Sequence, residues 1–341
     1  MTPCNVKIGN AQNLEAATGC TVVLCERGAV AGVDVRGGGP ATRETDLLKP
    51  ENTAQDIHAV VLSGGSAYGL SAAGGVMRWL EERGVGFDVG VARVPLVCGA
   101  SLFDLQIGRC DVRPDEAMGY AACEDAMPIG ERPVAQGNVG AGAGATVGKL
   151  LGPQLSMKSG LGYAAVERGD LYVGALVAVN AAGNVLDRSG VTLAGVRNPD
   201  ADAVGVLEAD EAFDRMLDAA DAARAAGEVI NPFSGNTTIG CVITNAALTK
   251  SQATKVSAMM HDAYARTVKP VHTTNDGDAI FTLATGELEE RPGVAAVASD
   301  GNSALVDTVA VLGARAMEQA VRNAVLHADS LCGVPALRDA R

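Results

Sequence analysis

Aromatic residues are scarce in this chain: its 341 residues hold five Phe, five Tyr and one Trp. The core must therefore be assembled from Ala, Val, Leu and Ile. Basic residues are in deficit, 27 Lys and Arg against 40 Asp and Glu, for a net charge of −13. That balance excludes a nucleic-acid partner, which needs a basic footprint. No run of about 18 uninterrupted apolar residues exists, so no membrane span is expected. The opening MTPCNVKIGN lacks a basic region followed by an apolar stretch, and no signal peptide is expected. Histidine is limited to His58, His261, His272 and His327, without metal-ligand spacing. Nothing in the sequence supports a Ser-His-Asp triad. The eight cysteines are dispersed and form no Cys-x-x-Cys pair, which reads as reduced thiols in a cytoplasmic protein.

The chain is 48% hydrophobic with 42 Gly, which is ample for a core and excludes wholesale disorder. Its length allows two or three ordinary domains or one large one. Cys20–Cys25 and Ala29–Val35 read as two strands around Glu26-Arg27-Gly28. Gly37-Gly38-Gly39-Pro40 opens a loop. His58–Ser63 reads as a buried strand, followed by a Gly-rich turn and a helix ending near Arg83-Gly84. Arg113–Ala126 reads as a short helix, and Leu161–Glu167 and Leu171–Val179 as strands. Ala203–Ala226 reads as a helix with Leu207, Phe213, Met216 and Leu217 on one side and Gly227 as its cap.

Asn231-Pro232-Phe233-Ser234-Gly235-Asn236 is a dense turn cluster before the β-branched run Thr237–Thr244. Thr249-Lys250-Ser251-Gln252 has the spacing and chemistry of a capping box and should open a helix that ends before Pro270. Asn275-Asp276-Gly277-Asp278 turns into a strand Ala279–Thr285, and a long helix spans about Ser303–Ala328. The mixture of β-pairs and helices favours a layered α/β or α+β fold over a barrel.

Three familiar motifs fail. Gly140–Lys149 resembles a phosphate loop, but Ala143 and Leu150 occupy the required Gly and Ser/Thr positions. The dinucleotide fingerprint meets Ala145 or Val147 where its third Gly belongs. Ser66 lies in a Gly-rich turn, but Tyr68 replaces the Gly of a nucleophile elbow.

Other segments carry two readings. Thr237 and Thr238 at a strand start are ordinary by propensity. Asp276 and Asp278 form a simple Asp-Gly turn, a pair of catalytic acids or, weakly, metal ligands. Lys149 ends a Gly/Ala tract as a solvated lysine or a working cation. Asn180 closes an apolar strand as a turn residue or an amide donor. Tyr68 is a partly buried ring or a substrate contact.

The segment GNTTIGCVITNA (Gly235–Ala246) resembles the self-processing junction of the L-aminopeptidase/D-esterase family of N-terminal-nucleophile hydrolases. Leu62–Leu70, Gly140–Lys149, Val177–Asp187 and Val271–Phe281 match the family in the same order. The resemblance spans most of the chain. It is greatest toward the nylon-oligomer branch, because it continues through Val271–Phe281; that other members carry Ser and Glu at the positions of Asp276 and Asp278 points the same way. It implies an α/β fold, a layered αββα sandwich, as one catalytic domain over 1–341. It implies cleavage between Asn236 and Thr237 into chains 1–236 and 237–341, with Thr237 as nucleophile. Its new α-amine, titrating near 8, would be the base.

By the same resemblance, Asp276 and Asp278 orient that amine, Lys149 lies beside the nucleophile, Asn180 donates to the oxyanion and Tyr68 contacts substrate. No cofactor or metal is implied. The implied substrate is a small amide, short peptide or linear oligoamide such as a 6-aminohexanoate oligomer, or alternatively, for a restricted aminopeptidase, an N-terminal residue amide or a β-peptide. The implied assembly is a homo-oligomer, commonly a tetramer. Two rival readings are a self-cleaving acyltransferase of the ornithine acetyltransferase type and a non-catalytic ligand-binding protein.

Overall fold

The computed structural model describes residues 2–200, 205–227, 235–288 and 303–339. In chain order the main strands are β1 (Lys7–Asn13), β2 (Thr18–Val35), β3 (Asp56–Ser63) and β4 (Val97–Ser101). They continue as β5 (Leu161–Arg168), β6 (Leu171–Asn180), β7 (Thr237–Thr244) and β8 (Ala279–Ala284). The helices are α1 (Ala72–Glu81), α2 (Glu116–Asp125), α3 (Ala209–Ala225), α4 (Lys250–Thr267) and α5 (Ser303–Leu326).

The main strands hydrogen-bond in the order β5-β6-β7-β8-β2-β3-β4, with β1 also on β2. The pairs β7–β8 and β3–β4 are parallel; their neighbours are antiparallel. This continuous sheet is folded over itself into two layers. Leu176, Ala178, Ile239, Cys241 and Phe281 from one half share a core with Val60, Leu62, Cys98 and Ala100 from the other. The opposite face of the first half, with Val173, Val177 and Ile280, packs on α4 and α5. The opposite face of the second, with Val22, Ala59 and Val61, packs on α1 and α2. Period-2 alternation along each strand sorts side chains between these cores. The result is the expected helix–sheet–sheet–helix sandwich.

Glu26-Arg27-Gly28 does not reverse the chain. One strand, β2, runs through it, so the two-strand reading is corrected. A step of five positions along β2 (Leu24 to Ala29) matches a step of two along β3 (Ala59 to Ile57), and a bulge takes up the excess. Gly28 supplies the left-handed conformation there, at φ +83°. The bend lets the first half of β2 pair with β1 and the second with β8.

Helix α3 is shorter than its sequence pattern. Residues 201–204 lie outside the described set, Leu207 is buried ahead of the helix, and Leu217 faces solvent at 46% exposure. Gly227 does adopt the left-handed conformation past the C-terminus of α3. Of the turn cluster before β7, 231–234 also lie outside the described residues. The capping box is present: Thr249 Oγ1 accepts from Gln252 N, and Gln252 Oε1 accepts from Thr249 N at 2.9 Å.

With few aromatics, the layers close through backbone contact. A Cβ at Gly162 on β5 would lie 1.9 Å from the Ala320 carbonyl oxygen of α5. Gly162→Ala must therefore push α5 off the sheet. The expected loss in chemical denaturation is about 2 kcal/mol or more. Wild-type stability would show that α5 does not depend on this close approach.

Candidate active site

The register of β7 places Thr237 at the edge of the two-layer core. Thr237 shares a face with Ile239, Cys241 and Ile243, which point between the layers, while Thr238 points toward α4. Thr237 pairs with Asn180, the last residue of β6, and Asn236 bridges Asp276 in the loop before β8. Three chain segments thus meet at one end of the sheet.

The Thr237 hydroxyl donates to the Asn236 carbonyl oxygen and accepts from Gly277 N at 3.1 Å. Only glycine fits at 277, because a Cβ there would come within 2.7 Å of the same hydroxyl. The Gly37-Gly38-Gly39 loop braces this turn: Gly39 N donates to Asp276 O at 2.8 Å, and Arg36 N to Asp278 O at 2.9 Å.

Asp276 Oδ2 accepts from Thr273 N at 2.6 Å. Asp278 Oδ1 accepts from Thr238 N at 2.7 Å. Both carboxyls are nearly inaccessible, 3% and 2% exposed. Burial first, and then the neighbouring Asp278, push Asp276 up to about 6.

Lys149 is equally buried. Its Nζ donates to Asn180 Oδ1 at 2.8 Å, to Asn180 O at 3.2 Å and to Gly235 O at 3.2 Å. Burial pushes it down to about 7 against the pull of Asp276 and Asp104. Asn180 Nδ2 donates to Phe103 O at 2.7 Å, so this amide is tied to Lys149 through its oxygen and to the 103 loop through its nitrogen. The structure therefore gathers Thr237, Asn236, Asp276, Lys149 and Asn180 around one peptide bond, with Asp278 bound to the next residue. Tyr68 is 60% exposed, and the Arg113 guanidinium lies 3.9 Å from the centre of its ring. Its backbone oxygen accepts from Ser71.

Several participants carried no sequence signal of their own. Phe103 packs on Gly235, where a Cβ would meet its ring at 2.8 Å. Asp104 accepts from Thr18 Oγ1 and Gly65 N, both at 2.7 Å. Lys158 is fully buried on the carbonyls of Gly142, Ala145 and Ser159. His272 Nδ1 lies 2.8 Å from Asp278 Oδ2. The run of three glycines at 37–39 is a visible signal, but its composition points only to a loop. Among the described residues, no group of three or more His, Cys, Asp or Glu is placed to hold a metal ion.

Residues 4–337 match the model of peptidase family S58. An uncharacterized aminopeptidase of Mycobacterium tuberculosis is 42% identical, over 98% of this chain and 95% of its own. A 6-aminohexanoate-oligomer endohydrolase of Agromyces sp. is 34% identical, over 83% of this chain and 74% of its own. The structure of the L-aminopeptidase D-Ala-esterase/amidase of Ochrobactrum anthropi, described as a variant of the Ntn hydrolase fold, superposes with a TM-score of 0.67. That match has 18% identity and covers 95% of this chain and 84% of the other. Family, fold and the gathered polar groups agree: the chain belongs to peptidase family S58, the L-aminopeptidase/D-esterase family, and is a peptide or amide hydrolase.

Proposed function

We propose that this hydrolase is made as a precursor that cuts itself between Asn236 and Thr237, and that the freed Thr237 is then its nucleophile. The observation that carries this reading is the junction itself. The Thr237 hydroxyl touches the carbonyl group of the peptide bond to be cut and receives a hydrogen bond from Gly277 N.

In the first step Thr237 Oγ1 bonds to the Asn236 carbonyl carbon. The Asn236–Thr237 C–N bond breaks, and the hydroxyl proton ends on the new amine. Water then hydrolyses the ester, leaving a carboxylate on Asn236 and restoring the hydroxyl. Asp276, pushed up to about 6, can take and return a proton near neutrality. The Gly277 N–H supports charge on the attacking oxygen, and the Lys149 cation, held on Gly235 O one residue before the scissile carbonyl, adds positive potential beside it.

After cleavage the Thr237 amine becomes the base for its own hydroxyl, and a substrate acyl group takes the place of residue 236. Asp278, bound to Thr238 N, holds the strand start in line. The substrates in this reading are small amides, short peptides or linear oligoamides such as 6-aminohexanoate oligomers. Tyr68 offers them an exposed ring face backed by Arg113. A cytoplasmic homo-oligomer, a tetramer of processed protomers, belongs to the same proposal.

Intact mass under denaturing conditions tests the cut. Wild-type protein is expected as chains 1–236 and 237–341. Thr237→Ala is expected to stay whole and to lose roughly 10³-fold or more of its amide hydrolysis. A wild-type chain that stays whole on long incubation overturns the reading.

The pH dependence of self-cleavage follows from two groups. Asp276 must be ionised, so the rate should rise through about pH 6. Lys149 must keep its proton, so the rate should fall above about pH 7. Asp276→Asn should remove the acid limb. A wild-type rate that stays constant from well below pH 6 to well above pH 7 would exclude both roles.

A further inference from the structure

His272 is the residue at this site that no part of the reaction has yet used. It stands in the left-handed region, at φ +57°, which non-glycine residues rarely occupy. That conformation turns its backbone N–H and its ring toward one atom. His272 N donates to Asp278 Oδ2 at 3.2 Å, and Nδ1 lies 2.8 Å from the same oxygen. The other oxygen, Oδ1, receives Thr238 N at 2.7 Å. Asp278 is thus held by three donors, two of them from one residue. The ring is fixed from below: His261 stands edge-on, 4.7 Å between centroids, with its own Nε2 3.1 Å from Asp34 O. Burial pushes His261 down to about 4, so the imidazole supporting His272 is neutral near neutrality.

We propose that His272 is a positioning residue: its Nδ1–H fixes the Asp278 carboxylate so that Oδ1 holds Thr238 N, and with it the start of β7 and the Thr237 hydroxyl. A rare backbone conformation kept at a catalytic turn is the kind of strain a fold retains for function. The proposal rests on Thr237 being the nucleophile. It predicts a dependence on one atom. Any side chain that places a donor where Nδ1 stands should serve, and one that places it where Nε2 stands should not.

Three variants separate these cases. His272→Gly keeps the backbone conformation free of strain and removes the ring. His272→Asn tolerates the left-handed region and puts an amide N–H near the Nδ1 position. His272→Gln reaches the Nε2 position instead. Each chain is pulse-labelled in cell-free translation, and self-cleavage is followed by intact mass, which needs no added substrate.

His272→Gly is expected to slow cleavage about 100-fold, the cost of misplacing a reacting group by an ångström or so. His272→Asn is expected to recover most of that rate, and His272→Gln to stay as slow as Gly. Crystal structures should show the Asp278–Thr238 bond kept in the Asn variant and lengthened in the Gly variant. Wild-type cleavage by His272→Gly overturns the proposal and leaves Thr237 in place. So does an Asn variant no faster than Gln, or rates that follow thermal midpoints rather than the donor position. A wild-type chain that never cleaves removes the nucleophile reading, and this proposal with it.

Discussion

The parallel pairing of Thr237–Thr244 with Ala279–Ala284 is the constraint on which the site depends. Its register sets Ile239 opposite Ala279, so residues 236–237, at the start of β7, and 276–278, just before β8, arrive side by side. A slip of one residue would turn Thr237 toward α4 and put Thr238 between the layers. The register is held from both flanks, by β6 on one side and β2 on the other. Both strands are buried on both faces, and such strands have no tolerance for a shifted hydrophobic pattern.

That rigidity allows charges to stay where they are costly. Lys149, Asp276 and Asp278 are almost wholly removed from water. Each is held by hydrogen bonds rather than by one ideal ion pair: Lys149 by three oxygens, Asp278 by three donors. Buried charge survives only with such compensation. The consequence is chemical. Burial brings an acid and an amine toward neutrality from opposite sides, which is where proton transfer is most efficient. Lys158 and Asp104 repeat the pattern beneath the Gly/Ala tract, where they hold backbone rather than face the junction.

Much of the architecture was legible because it is locally encoded. The capping box at Thr249, the helix α5 and the buried strands β3, β6 and β7 follow from short-range periodicity and cap chemistry. Where reading failed, a distant partner had overruled the local signal. Glu26-Arg27-Gly28 has turn composition, yet β1, β3 and β8 all pair along the same strand and turn the break into a bulge. Residues 205–208 before α3 continue its helical composition, but Leu207 N is taken by Val196 O and Val206 bridges Arg197, so the helix begins only at Ala209. His272 looked like one of four scattered histidines, because its partner is defined by a turn geometry that no spacing rule describes.

The sequence by itself determined which chemical groups are available. A threonine follows Asn236 at the head of a β-branched run, an Asp-Gly-Asp turn precedes a strand, and a lysine ends a Gly/Ala tract. These are local facts, set by residue type and near neighbours. Only the tertiary structure decided which atom meets which. The bonds from Gly277 N to Thr237 and from Thr238 N to Asp278 each join residues 40 apart in the chain. Lys149 reaches across 86 residues to Gly235. Such contacts depend on strand register and on the bend in β2, which arise from the packing of whole layers and are written in no single segment.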